Sequence, residues 1–258
     1  MSLTGITRLE SKISSVKEGF LTEKKVCKIF NTKNCLFLIG PKTRWKLRVF
    51  PEARNIQIVL FENEHVVKLI LPKDKFGPFI GCNWKVPFRY HVDKATLSYK
   101  VFFHEDFDFV KGGKLPGLAG GAGNSGGFVP NGYDGWSVRF MFKEAGTICA
   151  YLYYPGMPEQ YGEKKFLKDG SGMVYLKTGA WNSIILTVIM NHPEKEDGIV
   201  SANVNGVDGL ALDTICFRRT SDLKIDHLMF SCLMGGADIS YAPGQDQYLL
   251  FKDFMVKY

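Results

Sequence analysis

Residues 111–153 bring cations and phenols close together. Lys111 and Lys114 stand in "DFVKGGKLPGLAGGAGNSGGF", residues 108–128, where eight residues are Gly. Downstream, "GWSVRFMF" alternates Trp136, Val138 and Phe140 with Ser137, Arg139 and Met141. As a strand it has one apolar face and one face bearing a hydroxyl and a guanidinium. "CAYLYY" then sets Tyr151 and Tyr153 on one face of a second strand. The connection "KEAGT" is short, so the two strands read as hairpin partners, with Ser137, Arg139, Tyr151 and Tyr153 on one exposed sheet face. Such residues suit binding of an anionic polymer and transfer of a proton. An Arg stacked on tyrosines as a plain surface patch fits the same pattern.

The Gly-rich run reads as a long loop between strands. Its glycines allow backbone to approach a ligand closely, and its lysines supply charge. "GGKLPG" lacks the G-x-x-x-x-G-K-[ST] spacing, which disfavours a phosphate loop opening a helix. A mobile insertion is the plainer alternative.

The elements that must carry these residues read as strands. From Cys35 onward, "CLFLIG", "WKLRVF", "NIQIVLF", "HVVKLIL", "ATLSYKVFF", "GWSVRFMF", "TICAYLYY", "NSIILTVIM", "GIVSANVNG", "LKIDHLMFSCLM" and "YLLFKDFMVKY" are rich in β-branched and aromatic residues. Gly, Pro, Asn and Asp cluster between them. No long helical periodicity intervenes, which predicts an all-β antiparallel sandwich, a jelly roll, over residues 35–258 as a single domain. "NVNGV" is a hairpin signal. Residues 1–34 are polar and Lys-rich, and read as an arm, an edge strand, or a short helix near Leu9 to Val16.

The chain of 258 residues is 45% hydrophobic and 14% aromatic, enough for a substantial core. A net charge of +7 favours polyanionic partners. Cys27, Cys35, Cys82, Cys149, Cys216 and Cys232 form no C-x-x-C pair, and several lie in apolar runs. They read as buried free thiols of a protein made in a reducing compartment, with no metal site. The N-terminus shows no signal peptide, and no apolar run reaches the ~20 residues of a membrane span.

Other chemistries are weaker. Glu105, Asp106 and Asp108 in "HEDFDF" run straight into the Gly-rich segment and read as a solvated strand end, not as the facing acids of a hydrolase. The five histidines show no nucleophile or metal spacing; His104 and His227 read as satisfied groups on sheet faces. "GGADISYAPGQDQ" is a second loop, whose Asp238, Tyr241 and Asp246 either border a cleft or only make a turn. No spaced Asp cluster marks a calcium site.

"YKVFFHEDFDFVKGGKLPGLAGG", followed by "GWSVRFMF", "AYLYYPG" and "ISYAPGQDQYLLFKDF", resembles polysaccharide lyase family 14, whose members include alginate and glucuronan lyases of large viruses of green algae. The most specific block is F-x-F-x-K-G-G-K-L-P-G-L, and the resemblance spans roughly residues 84–258. It implies a jelly roll with a concave active cleft and cleavage of uronate polymers by β-elimination. Lys114 matches a cleft lysine, and Ser137, Arg139, Tyr151 and Tyr153 match the catalytic face. Lys111, Asp238 and Tyr241 are then candidates for substrate binding. The resemblance further implies an acidic polysaccharide as partner, no cofactor, no nucleic acid, a monomer, and a viral enzyme acting on host cell wall, virion-associated or released on lysis.

Elimination must neutralise the C6 carboxylate, remove H5 and protonate the leaving O4. Either Lys114 or a tyrosine whose pKa is lowered by nearby cations can take that proton. A non-catalytic carbohydrate-binding module has a similar aromatic sandwich, but binding alone does not need Lys, Arg and two tyrosines together. Single-stranded nucleic-acid binding would also use basic and aromatic residues, and no recognised motif supports it.

Overall fold

The computed structural model describes residues 8–38, 55–77 and 82–258. The strands are β1 (Arg8–Glu10), β2 (Gly19–Phe20), β3 (Leu36–Leu38), β4 (Ile56–Phe61), β5 (Glu64–Leu71), β6 (Cys82–Val92), β7 (Lys94–Phe103), β8 (Gly113–Gly121) and β9 (Gly135–Phe142). They continue with β10 (Ile148–Tyr153), β11 (Glu163–Phe166), β12 (Lys168–Asp169), β13 (Gly172–Met173), β14 (Trp181–Ile189), β15 (Gly198–Val204), β16 (Val207–Ile215), β17 (Ile225–Met234) and β18 (Gln247–Lys257). One α-helix, α1, covers Glu23–Ile29.

Two large antiparallel sheets form a jelly-roll sandwich. One runs β16-β15-β14-β7-β18-β5-β4-β2 with β1 added on β18; the other runs β11-β10-β9-β8-β17-β6-β3. Strict alternation drives the packing. Along β14, Asn182, Ile184, Leu186 and Val188 are buried, and the residues between them are half-buried. The seven-stranded sheet turns Trp84, Leu115, Leu118, Trp136, Phe140, Leu152 and Phe230 into the same core. Trp84 stacks on Phe230 at 3.6 Å. The Asn205–Gly206 turn joins β15 to β16 with both residues at positive φ, 54° and 87°, as that dipeptide predicts.

Several elements differ from the sequence reading. "WKLRVF" lies outside the described residues. The Gly-rich run is not one loop: residues 113–121 are the central strand β8, and only residues 108–112 and those after Gly121 are turn or loop. Its glycines are there because neighbouring backbone leaves no room. A Cβ on Gly117 would lie 2.0 Å from the Val138 carbonyl oxygen, and one on Gly113 2.3 Å from that of Leu233. β6 carries Pro87 inside an eleven-residue strand. β3 pairs with β6 only at Asn83–Lys85, so no β3 partner stands opposite Pro87, and on the other side its pairing with His227 of β17 adjoins a register irregularity. In the N-terminal segment, Arg8–Glu10 is an edge strand, Ile13–Ser15 is a single 3-10 turn within the stretch expected to hold a short helix, and the α-helix comes later, at α1, where Thr22 caps it and Val26 and Ile29 join the core. All six cysteines are free; Cys27 and Cys216 are half-buried and the rest buried, with the Cys27 and Cys35 sulfurs 3.1 Å apart. Among the described residues no helix is long and apolar enough to cross a membrane.

The crowding at Gly117 sets an expectation. Gly117→Ala forces β8 and β9 apart and lowers stability by about 1–3 kcal/mol. Gly170→Ala, where nothing lies within 4 Å of the added carbon, leaves the melting temperature nearly unchanged. Paired thermal melts of the two variants measure the contrast, and equal shifts contradict it.

Candidate active site

On the face of the seven-stranded sheet turned away from the core, pairing aligns side chains in rows across the strands. Lys164, Tyr151, Arg139, Gly117, Met229, Lys85 and Leu36 make one row. Tyr153, Ser137, Ala119, His227 and Pro87 make the next. Phe166, Cys149, Met141, Lys114 and Leu233 make a third. The hairpin inferred from "KEAGT" therefore exists, with Tyr151 opposite Arg139 and Tyr153 opposite Ser137. The face is not exposed, however. Ser137, Arg139, Tyr151 and Tyr153 are each at most 4% accessible. The loops after β8 and after β10 fold back over it, and a Cβ on Gly162 would lie 2.5 Å from the Tyr153 ring.

Lys114 reaches this face because β8 is bulged. Lys114 and Gly117 are three residues apart, so plain alternation would set them on opposite faces. The register slips by one residue between Leu115 and Gly117, at Pro116, which has no N–H to give the ladder. The slip returns both positions to the cleft face. The carbonyl of Pro116 accepts from the Tyr99 hydroxyl, 3.3 Å away on the opposite sheet, which anchors the bulge. Lys114 is thus a half-buried strand residue and not a loop cation.

The electrostatics are one-sided. Arg139 donates from Nη1 to Ser231 Oγ at 3.2 Å, and its Nε and Nη2 have no partner. Its guanidinium lies 5.6 and 5.8 Å from the rings of Tyr151 and Tyr153. The Lys114 ammonium sits 3.8 Å above the Tyr151 ring and 3.2 Å from Met141 Sδ. Among the described residues neither cation has a carboxylate in salt-bridge range, and the three rows contain none. Burial, then the Arg139 charge, pushes the Lys114 amine well below its usual range. Burial, then the hydrogen bond with Tyr153, pushes the Tyr151 phenol above its usual range. For Tyr151, the lowering by nearby cations considered from sequence is outweighed by desolvation.

A chain of polar contacts closes the tyrosine end. The Gly127 amide donates to Tyr153 Oη at 3.3 Å, the two phenol oxygens are 3.4 Å apart, and Tyr151 donates to the Tyr161 carbonyl. Ser137 donates to the Asn124 carbonyl at 2.6 Å, so its hydroxyl ties down the loop after β8. Lys111, Asp238 and Tyr241 form a separate, more exposed cluster at the Lys114 end. Lys111 donates to Ser240 Oγ at 2.7 Å and lies 5.6 Å from the Tyr241 ring, while Asp238 accepts from the Ser240 amide.

Met141 shares the Arg139 face in the sequence pattern. Ser231 and Lys85 were missed, and His227 reads in the sequence only as a satisfied group on a sheet face, although alternation in "DHLMFSCLM" could have put His227, Met229 and Ser231 on one face. His227 is only half satisfied: Nδ1 meets Asp226, while buried Nε2 has no partner. His104 stacks on Tyr248 at 5.0 Å, its Nε2 likewise unpartnered. Asp108 accepts from the Val110 amide in a local turn. Among the described residues no cluster of His, Cys, Asp or Glu could hold a metal.

Comparison with known proteins agrees with the fold and identifies the family. Residues 79–254 match the family model for Polysaccharide lyase 14. Exolysin of Paramecium bursaria Chlorella virus 1 is 25% identical over 69% of this chain; the match spans 32% of that protein's length, so the chain covers about a third of it. The crystal structure of alginate lyase vAL-1 from Chlorella virus is 26% identical, covering 78% of this chain and 88% of that one, with a TM-score of 0.68. Alginate lyase Aly36B, 19% identical, shares the fold over 97% of this chain and 96% of its own, at a TM-score of 0.78. With more than half its length matched, all of β8, β9, β10 and β17 included, the chain belongs to polysaccharide lyase family 14.

Proposed function

We propose that the chain cleaves uronate-containing polymers, alginate or a polyglucuronate-like cell-wall polysaccharide, by β-elimination. The observation that carries this reading is the buried Arg139, with two unpartnered nitrogens and no carboxylate in its rows. A uronate C6 carboxylate completes it, and neutralising that group acidifies H5. The lowered Lys114 amine takes H5, because a desolvated lysine is neutral over more of the working range. As the C4–O4 bond breaks, a proton passes to O4 and a C4=C5 double bond remains. The Tyr153 hydroxyl is the suitable donor, since the Tyr151 hydroxyl is already donated to a carbonyl. Ser137 is a positioning residue for the loop. Lys111 and Tyr241 extend the binding surface beyond Lys114. That vAL-1 and Aly36B are named alginate lyases supports the substrate class. Two relatives from Chlorella viruses support a viral enzyme directed at host wall.

Mixing the protein with alginate or polyglucuronate should raise ultraviolet absorbance as the conjugated double bond forms. Binding without any absorbance gain would instead favour a non-catalytic carbohydrate module. Turnover should survive EDTA, because Arg139 and Lys114 supply the positive charge; loss restored by added calcium contradicts this.

Tyr153→Phe should lower kcat by roughly 10²-fold or more with a modest change in KM. Near-normal turnover moves the acid role elsewhere.

For Lys114 the sign follows from its depressed proton affinity. Rate should rise with pH through an apparent pKa below the free-lysine value, and Lys114→Arg should lack this limb and be nearly as inactive as Lys114→Ala. Protonated Lys114 strains the folded state below that pKa, and the strain fades as pH climbs towards ~10.4. Lys114→Met should therefore melt no lower than wild type at neutral pH, with its advantage shrinking towards pH 10. A clear loss of stability at neutral pH overturns the assignment of a strained cation.

A further inference from the structure

At the β6 end of the cleft, away from the tyrosines, lies a cavity of about 520 Å³ lined in part by Lys85, His227, Asp226, His91, Asn34 and Leu36. We propose that it is a distal subsite for a second uronate of the same polymer, with Lys85 taking its carboxylate and His227 a sugar hydroxyl. This rests on the reading of the cleft as a uronate-polymer site.

Register is the first argument. Lys85 is in the row of Arg139, three strands away through β8 and β17, and so about 14 Å from it at ~4.8 Å per strand. The positions between are Gly117, which has no side chain, and Met229, which is apolar. No acidic group interrupts that floor, so an anionic chain laid across the strands passes from one cation to the next. Beyond Lys85 the row ends at Leu36, which is 52% exposed and offers an apolar ledge to the face of a sugar ring.

The second argument is the state of His227. It is 5% accessible, its Nδ1 faces the Asp226 carboxylate, and its Nε2 has no partner. With the Nδ1 proton donated to Asp226, Nε2 carries a lone pair able to accept from a hydroxyl. The second Asp226 oxygen accepts from the Gly121 amide at 2.8 Å, so this carboxylate is already engaged.

The Gly-rich segment orders both groups. Lys85 donates to the Ala122 carbonyl at 2.5 Å. A Cβ on Gly123 would lie 2.9 Å from both His227 Nε2 and Lys85 Nζ. Glycine at 123, at φ 63°, keeps the loop close over this pair without displacing it.

The test measures kcat/KM on saturated uronate oligomers from trisaccharide to octasaccharide. In wild type the constant should climb with length once the chain spans both cations. In Lys85→Gln the ratio of long to short should fall about tenfold, and Lys85→Arg should keep most of it. Leu36→Asp, at an exposed position, should lower the same ratio by adding a repelling charge, and it serves if Lys85→Gln does not fold. An undiminished ratio in folded Lys85→Gln, or in Leu36→Asp where Lys85→Gln does not fold, overturns the subsite while leaving the lyase reading intact. If wild type forms no unsaturated product from any oligomer, the lyase reading falls and calorimetry with the same oligomers decides the subsite. A gain of affinity with length that Lys85→Gln abolishes supports it, and no such gain overturns it.

Discussion

The site depends on a positive charge buried without a negative one. Arg139 lies beneath the loops with a single hydroxyl partner and two aromatic rings beside it. Burying an unpaired ion is costly, and most folds answer with a carboxylate. Here the nearby groups are phenols, a thioether and a second cation. Tyrosine rings soften the penalty through their negative faces but do not cancel it. The remaining imbalance disfavours a proton on Lys114 and makes an incoming carboxylate the complement of the cleft floor.

That imbalance is held in place by backbone. Arg139, Tyr151 and Tyr153 project from two adjacent strands whose other faces are fully in the core, so their positions are set by sheet register. Pro116 supplies the one irregularity needed, because the bulge it causes aims Lys114 at the same row of side chains. Glycines do the complementary work of removing Cβ atoms where strands and loops come too close. Rigid strands carry the charged groups, and a loop fastened through Asn124 and Gly127 covers them.

Much of this was legible in the sequence and some was not. Alternation in "GWSVRFMF" and "CAYLYY" gave the shared face of Arg139, Tyr151 and Tyr153, because strand periodicity and a short turn are local properties. The Asn205–Gly206 hairpin was readable for the same reason. β8 was hidden, since eight glycines in twenty-one residues look like loop unless the crowding that requires them is known. Pro87 hid much of β6 similarly, since the short reach of β3 and the register irregularity beside its β17 partner are not visible in the sequence. Lys85 escaped notice, and His227 reads as satisfied in the sequence, because their place in the cleft comes from pairing between strands far apart in the chain. The covering of the tyrosines was equally invisible: a period-two pattern tells which side a residue faces, not what lies over that side.

The place of β18 in its sheet bears on how the molecule assembles. β18 lies between β5 and β7, and its Lys252 meets Glu64 across 188 residues of sequence. Until β18 has been made, β5 and β7 each present an unpaired apolar edge, and the sheet opposite the cleft exists only as two halves. Such distant pairing makes closure slow and exposes the nascent chain to edge-to-edge association with its neighbours. The last step that makes the sheet whole is therefore the insertion of β18 between β5 and β7, and any delay in it lengthens the time both edges stay open.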